Sequence, residues 1–132
     1  MQNLLAFPSI HQQLFKSPLN PDKDFIIHRS LQLAAVQMRR KILLMGHVNR
    51  IRLHYGAIMS MVETMTALYG MWLKVDPSNP CMPERDRFVL SKGHGAPGLY
   101  VALWLRGFFD EKHFLNFRRL NSILQGHPDK NK

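Results

Sequence analysis

The sequence predicts an incomplete α/β domain, mostly helical, with one short strand that belongs in a parallel sheet. Three observations point there. Apolar residues recur at helical spacing from Phe25 to about Met45. A short apolar run, Arg87-Phe88-Val89-Leu90, reads as a buried strand. A glycine-rich turn, Gly93-His94-Gly95-Ala96-Pro97-Gly98, follows at once and opens a further helix. One strand cannot make a sheet, so the strand needs neighbours of which this chain offers few.

Residues 1–24 contain Pro8, Pro18 and Pro21 without a sustained period and read as an irregular N-terminal arm; residues 25–132 form the truncated domain. In the first helix Ile27, Leu31, Met38, Ile42 and Met45 share a face, and Arg39, Arg40 and Lys41 near its end suit the negative pole of the helix dipole. The stretch from Gly46 to Ser60 reads as a connection. Ser60-Met61-Val62-Glu63 fits a capping box, starting a helix that runs to about Trp72 or Leu73. Asp76-Pro77-Ser78-Asn79-Pro80 then breaks the chain. After the strand and the glycine turn, Pro97 suits an early helical position and Gly107 a C-terminal stop. A last helix is expected from about Asp110 to Leu120, followed by a polar stretch to Lys132.

With 45% apolar and 20% charged residues, the composition is that of a folded protein rather than a disordered one. A single cysteine, Cys81, excludes an internal disulfide. No run approaches the roughly 18 apolar residues that span a bilayer, and the start lacks a basic region before its short apolar run. The expectation is a soluble, cytoplasmic protein that does not engage a membrane. The net charge of +9 favours anionic partners without choosing among them. The basic runs Met38-Arg39-Arg40-Lys41, Asn49-Arg50-Ile51-Arg52 and Phe117-Arg118-Arg119-Leu120 read as solvated faces. No nucleic-acid-reading motif accompanies them, so no nucleic-acid partner is expected.

The glycine turn satisfies G-x-G-x-x-G literally, but a dinucleotide fingerprint also wants an acidic residue about 20 positions on, after a second strand. That position is Arg118, in a basic helical stretch, and Pro97 removes an amide from the turn. Two readings remain. The turn is an anion site, with Lys92 and His94 flanking backbone amides at a helix start, or it is an ordinary strand-to-helix turn. Of the seven histidines, none shows a metal-binding spacing. His54, His94 and His127 lie in glycine-bearing loops, where backbone can approach a ligand. Imidazoles there are suited to exchanging protons with hydroxyl and carbonyl groups near neutrality. Taken singly, each also reads as a surface or hydrogen-bonded structural residue.

Together these pieces resemble the start of the transketolase family. Val75-Asp76-Pro77-Ser78-Asn79-Pro80 looks like its VDPxNP loop, Asp86 to His94 matches DRFVLSKGH, and Gln125-Gly126-His127-Pro128 matches QGHP. The resemblance spans roughly residues 30–132. It implies the thiamine-diphosphate-binding α/β domain and transfer of a two-carbon ketol unit between sugar phosphates. In that chemistry the cofactor supplies the reactivity and the protein orients and polarises. It implies His54 and His127 as catalytic proton handlers, and His94, Lys92, Gly93 and Gly126 as cofactor-binding positions.

Where the family has GHPGGSLS, the chain reads Leu53-His54-Tyr55-Gly56-Ala57-Ile58-Met59-Ser60, with Tyr55 in place of a rigid proline. The family's Gly-Asp-Gly segment and its downstream asparagine, which ligate the Mg²⁺ or Ca²⁺ bridging the cofactor's diphosphate, do not occur in this sequence. The resemblance therefore implies a split or truncated transketolase, inactive alone, that works with a companion chain or as a homodimer. The alternative is a catalytically dead fragment or interaction subunit that docks on such a companion.

Overall fold

The computed structural model describes residues 21–129, and for 21–24 the backbone alone. Most of the arm expected over 1–24 lies outside the described residues. Residues 21–24, however, already belong to the first helix, α1, which spans Pro21–Val48. Pro21 is tolerated at that position because the first amides of a helix have no intrahelical acceptor. Ala35, Met38, Ile42 and Met45 recur at three- and four-residue steps and are buried, whereas Leu33, Val36, Leu43 and Leu44 on other faces stay exposed. The helix ends as Arg50 enters the left-handed region (φ 54°) and Ile51 N–H bonds back to Gly46 O at 3.0 Å.

The connection expected over Gly46 to Ser60 contains a short helix, α2 (Tyr55–Met59). The expected capping box at Ser60 and Glu63 does not form. Ser60 ends α2 rather than opening the next helix, and its hydroxyl donates to Ala57 O (3.0 Å). Glu63 pairs with Arg39 of α1 instead, and α3 (Val62–Ala67) starts with no side-chain cap. That helix widens into a π-helical turn, Leu68–Trp72. Val62, Met65, Thr66 and Tyr69 of this run are buried, and the Thr66 hydroxyl donates to Val62 O (2.7 Å) beside Met38 Sδ of α1.

The strand expected at Arg87 to Leu90 is absent, and no β-strand occurs among the described residues. The segment alternates as a strand would: Phe88 and Leu90 turn partly inward, Val89 is 86% exposed. Phe88 meets the edge of Tyr69 (centroids 5.9 Å apart, planes at 72°). What it lacks is a ladder. Asp86 N–H donates to Lys74 O (2.9 Å), but the return donor, Lys74 N–H, goes to the Asp86 carboxylate (2.7 Å), so pairing stops after one backbone bond.

A 3-10 turn, Gly93–Gly95, feeds α4 (Ala96–Arg106), whose residues from Ala96 to Ala102 are all buried. Gly107 stops it, as the sequence pattern predicts. At φ 98° its amide donates to Trp104 O (2.9 Å) and Phe108 N–H to Leu103 O (3.0 Å), the paired bonds of a Schellman cap. The helix expected from Asp110 to Leu120 is only a 3-10 segment, Glu111–Asn116. Left-handed residues at Arg118 and Asn121 turn the chain back so that Phe117 and Leu124 both reach the core.

Asn49, 3% exposed at the end of α1, ties that helix to this last segment. Its amide nitrogen donates to Met45 O (2.9 Å) and to Phe114 O (2.7 Å). Replacing Asn49 with Ala leaves two buried carbonyls without that donor. The expected cost is about 1–3 kcal/mol of unfolding free energy in urea denaturation, with the denaturant slope unchanged.

Candidate functional site

Three loops converge beside the first turn of α4. His54 precedes α2, His94 lies in the 3-10 turn, and His127 sits in the segment after Leu124. The His54 and His94 rings are 4.2 Å apart between centroids, and those of His94 and His127 are 6.2 Å apart. All three line one cleft of about 140 Å³, with Ile58, Pro97 and Phe117 as its apolar wall. Arg52 and Arg118 complete its rim. The three residues are 73 positions apart in sequence, from 54 to 127, so only the chain's path brings them together.

His54 is placed by Tyr55. The Tyr55 ring packs on the backbone of Gly46, where a β-carbon would stand 3.3 Å from Tyr55 Cζ and 3.2 Å from Leu53 Cδ1. Tyr55 thus anchors a loop that a proline stiffens in the family pattern. Ile58, fully buried, fixes the other side of α2 against α4.

The glycine turn keeps part of its hydrogen-bonding capacity for itself. Gly95 N–H donates to Lys92 O (2.8 Å), and the Ala96 amide bonds Gly93 O. Gly93 is in direct contact with the third imidazole. A β-carbon there would lie 2.6 Å from His127 Cδ2 and 2.9 Å from Nε2, so the bare backbone makes room for the ring. Gly126 likewise lies against Arg118. Lys92 does not join the group. Its ammonium donates to Ser60 Oγ (2.9 Å), bracing the turn against the end of α2, and it does not line the cleft.

His127 is held through its neighbours. The Tyr100 hydroxyl on α4 donates to Gln125 O (2.9 Å), and the Tyr100 ring meets the edge of Phe117 (centroids 6.2 Å, planes at 66°). Burial pushes the Tyr100 phenol up to about 12. Arg118 N–H donates to Leu124 O (2.8 Å), closing the loop that carries Gly126 and His127. Sequence reasoning missed Tyr100, Arg52 and Arg118 as parts of this site. Tyr100 falls in the helix expected after the glycine turn, and nothing in the helical pattern singles it out. The arginines were legible in the sequence only as solvated basic runs.

Among the described residues, no group of three or more His, Cys, Asp or Glu side chains is arranged to hold a metal ion. No described helix is long and apolar enough to cross a membrane.

Comparison with known proteins gives consistent matches. The domain family described as transketolase, thiamine diphosphate binding domain, matches residues 32–132. The chain is 47% identical over 76 residues to the 6-deoxy-6-sulfo-D-fructose transketolase subunit of Clostridium sp. (strain MSTE9), covering 58% of this chain and 28% of that protein. It is 39% identical over 102 residues to one of the subunits of the apulose-4-phosphate transketolase of Actinobacillus succinogenes, covering 77% of this chain and 37% of that protein. Against transketolase 1 of Escherichia coli (strain K12) it is 43% identical over 77 residues, 58% of this chain and 12% of that one. The chain thus spans well under half the length of these relatives.

Two outcomes follow from this geometry. Gly93→Ala is expected to leave stability within about 1 kcal/mol of the parent, because the exposed His127 ring can swing away. The same change shifts the His127 ring resonances in NMR spectra, and unchanged shifts would contradict the contact. Tyr100 has a folded-state pKa raised above its unfolded value. Its stabilisation is therefore complete below about pH 10 and lost as pH rises through about 12. Tyr100→Phe flattens that alkaline loss in urea titrations between those limits. Only part of it disappears, because burial also raises the Tyr69 phenol to about 12.

Proposed function

The chain belongs to the transketolase family, through its thiamine diphosphate binding domain, and from that premise we propose that it is one wall of a two-carbon ketol transferase whose remaining walls come from another chain. The observation that supports this most directly is the size of the imidazole cleft. At about 140 Å³ it is smaller than the roughly 300 Å³ at which small-molecule pockets begin, so it accommodates one end of a ligand. Two relatives are named as subunits, which agrees with division of the enzyme between chains. The partner in this reading is a companion chain carrying the rest of the enzyme, or a second copy of the chain, in the cytoplasm.

The cleft suits thiamine diphosphate and a sugar phosphate in chemical character. Its three imidazoles make no hydrogen bond to a described residue, and its rim is cationic. Thiamine diphosphate, when bound, supplies the electron-accepting thiazolium. His94 and the backbone at Gly93 and Gly126 hold its diphosphate side, with Lys92 bracing the turn through Ser60 rather than by direct contact. His54 and His127 exchange protons with the hydroxyl and carbonyl groups of the sugar. Mg²⁺ or Ca²⁺ would be held by residues that the companion contributes.

A second reading, a catalytically dead docking subunit, draws on the exposed apolar residues Leu33, Val36, Leu43 and Leu44 along α1. One experiment separates the two. The chain is assayed for two-carbon transfer with thiamine diphosphate and Mg²⁺, alone and mixed with a chain that carries the Gly-Asp-Gly metal segment. Background activity alone and restored activity in the mixture are expected, with His127→Ala lowering the restored rate by about 10²–10⁴. Binding to the companion without activity supports the docking subunit, and turnover by the chain alone refutes the split enzyme.

A further inference from the structure

Two cations of the cleft have no role in the imidazole cluster. Arg52, two residues before His54, lines both the cleft and an open groove of about 760 Å³ beside it, along Gly46, His47 and Arg50. Arg118 lines the same cleft. Both are exposed, and neither guanidinium makes a hydrogen bond or ion pair with a described residue. No described carboxylate lines the cleft. Two like charges therefore line one small concavity with no carboxylate among its described lining residues, an arrangement that favours an anion there.

The backbone holds Arg118 in this position against its own preference. Its φ is 58°, a region that a residue with a β-carbon occupies only where the surroundings enforce it, and such residues concentrate at ligand sites. The enforcing contact is the bond from its amide to Leu124 O at 2.8 Å. Its side chain then lies along Gly126, where a β-carbon would stand 3.3 Å from Arg118 Nε, so any larger residue at 126 crowds the guanidinium. Gly126 thereby serves Arg118 as well as the neighbouring imidazole.

We propose that Arg52 and Arg118 form a two-guanidinium clamp for a tetrahedral oxyanion, a phosphate or sulfonate group on the ligand that lies against His54, His94 and His127. The planar fork of each guanidinium matches two oxygens of such a group, which a lysine at either position does not reproduce. The clamp rests on the reading of the imidazole cleft as a ligand site. The oxyanion comes either from the cofactor's diphosphate or from the charged end of the sugar.

The test uses the whole chain at low ionic strength, where screening is weakest. Inorganic phosphate is titrated into the parent, Arg52→Gln, Arg118→Gln, the double variant and Arg119→Gln, with NMR detection of the imidazoles. Arg119 neighbours the clamp but does not line the cleft, so its variant removes the same net charge from the same loop. Saturable binding to the parent is expected, weakened about tenfold by each clamp variant, lost in the double variant and unchanged in Arg119→Gln. A parallel arm measures thiamine diphosphate with Mg²⁺. If its affinity falls along with that of phosphate, the clamp serves the cofactor. If phosphate affinity alone falls, it serves the sugar. Parent-like phosphate binding by the double variant, equal weakening by Arg119→Gln, or no saturable binding to the parent would each overturn the clamp. The phosphate titrations need neither turnover nor a companion chain, so they stand apart from the transfer assay.

Discussion

The close approach of the first turn of α4 to α2 and its flanking residues sets the position of everything else in the site. Two glycines permit it. A β-carbon at Gly95 would lie 2.5 Å from Met61 Sδ, and one at Gly98 would lie 3.4 Å from Ile58 Cγ2. Because side chains are missing there, backbone packs on side chain, and the turn carrying His94 comes down beside the loop carrying His54. Lys92 secures the same junction from the polar side through Ser60. The burial of α4 from Ala96 to Ala102 supplies the hydrophobic driving force for this approach.

A second set of contacts brings in the remote segment. Asn49 joins the end of α1 to Phe114, and Tyr100 joins α4 to Gln125. Each is a side-chain donor bonded to the carbonyl of an irregular segment that has few backbone partners of its own. Buried carbonyls need donors. These two residues therefore fix the path of the chain from Phe114 to His127 more firmly than the short 3-10 segment does alone. Phe117 and Leu124, buried on either side of the left-handed turn at Arg118, complete that path.

The site that results is polar, cationic and shallow. Arg52 and Arg118 line it together with the three imidazoles and the apolar residues Ile58, Pro97 and Phe117. The same openness marks the segment from Arg87 to Leu90, which alternates in burial and is tied to Lys74 only through the amide of the preceding Asp86.

The sequence by itself determined the family, the three loop histidines, the face of α1 that is buried and the stop at Gly107, because these depend on local spacing and on residues next to one another. It misjudged Ser60 and Glu63, since a capping pattern does not reveal that Arg39, far along the chain, competes for the carboxylate. It also took a short apolar run for a buried strand, because such a run reports apolar character and says nothing of ladder partners. Only the tertiary structure decided that Lys92 braces rather than lines the cleft, that Tyr55 anchors the His54 loop, and that Arg52 and Arg118 share a rim. Those are distances between residues far apart in the chain, set by how closely backbones can approach at glycines, and no local pattern encodes them.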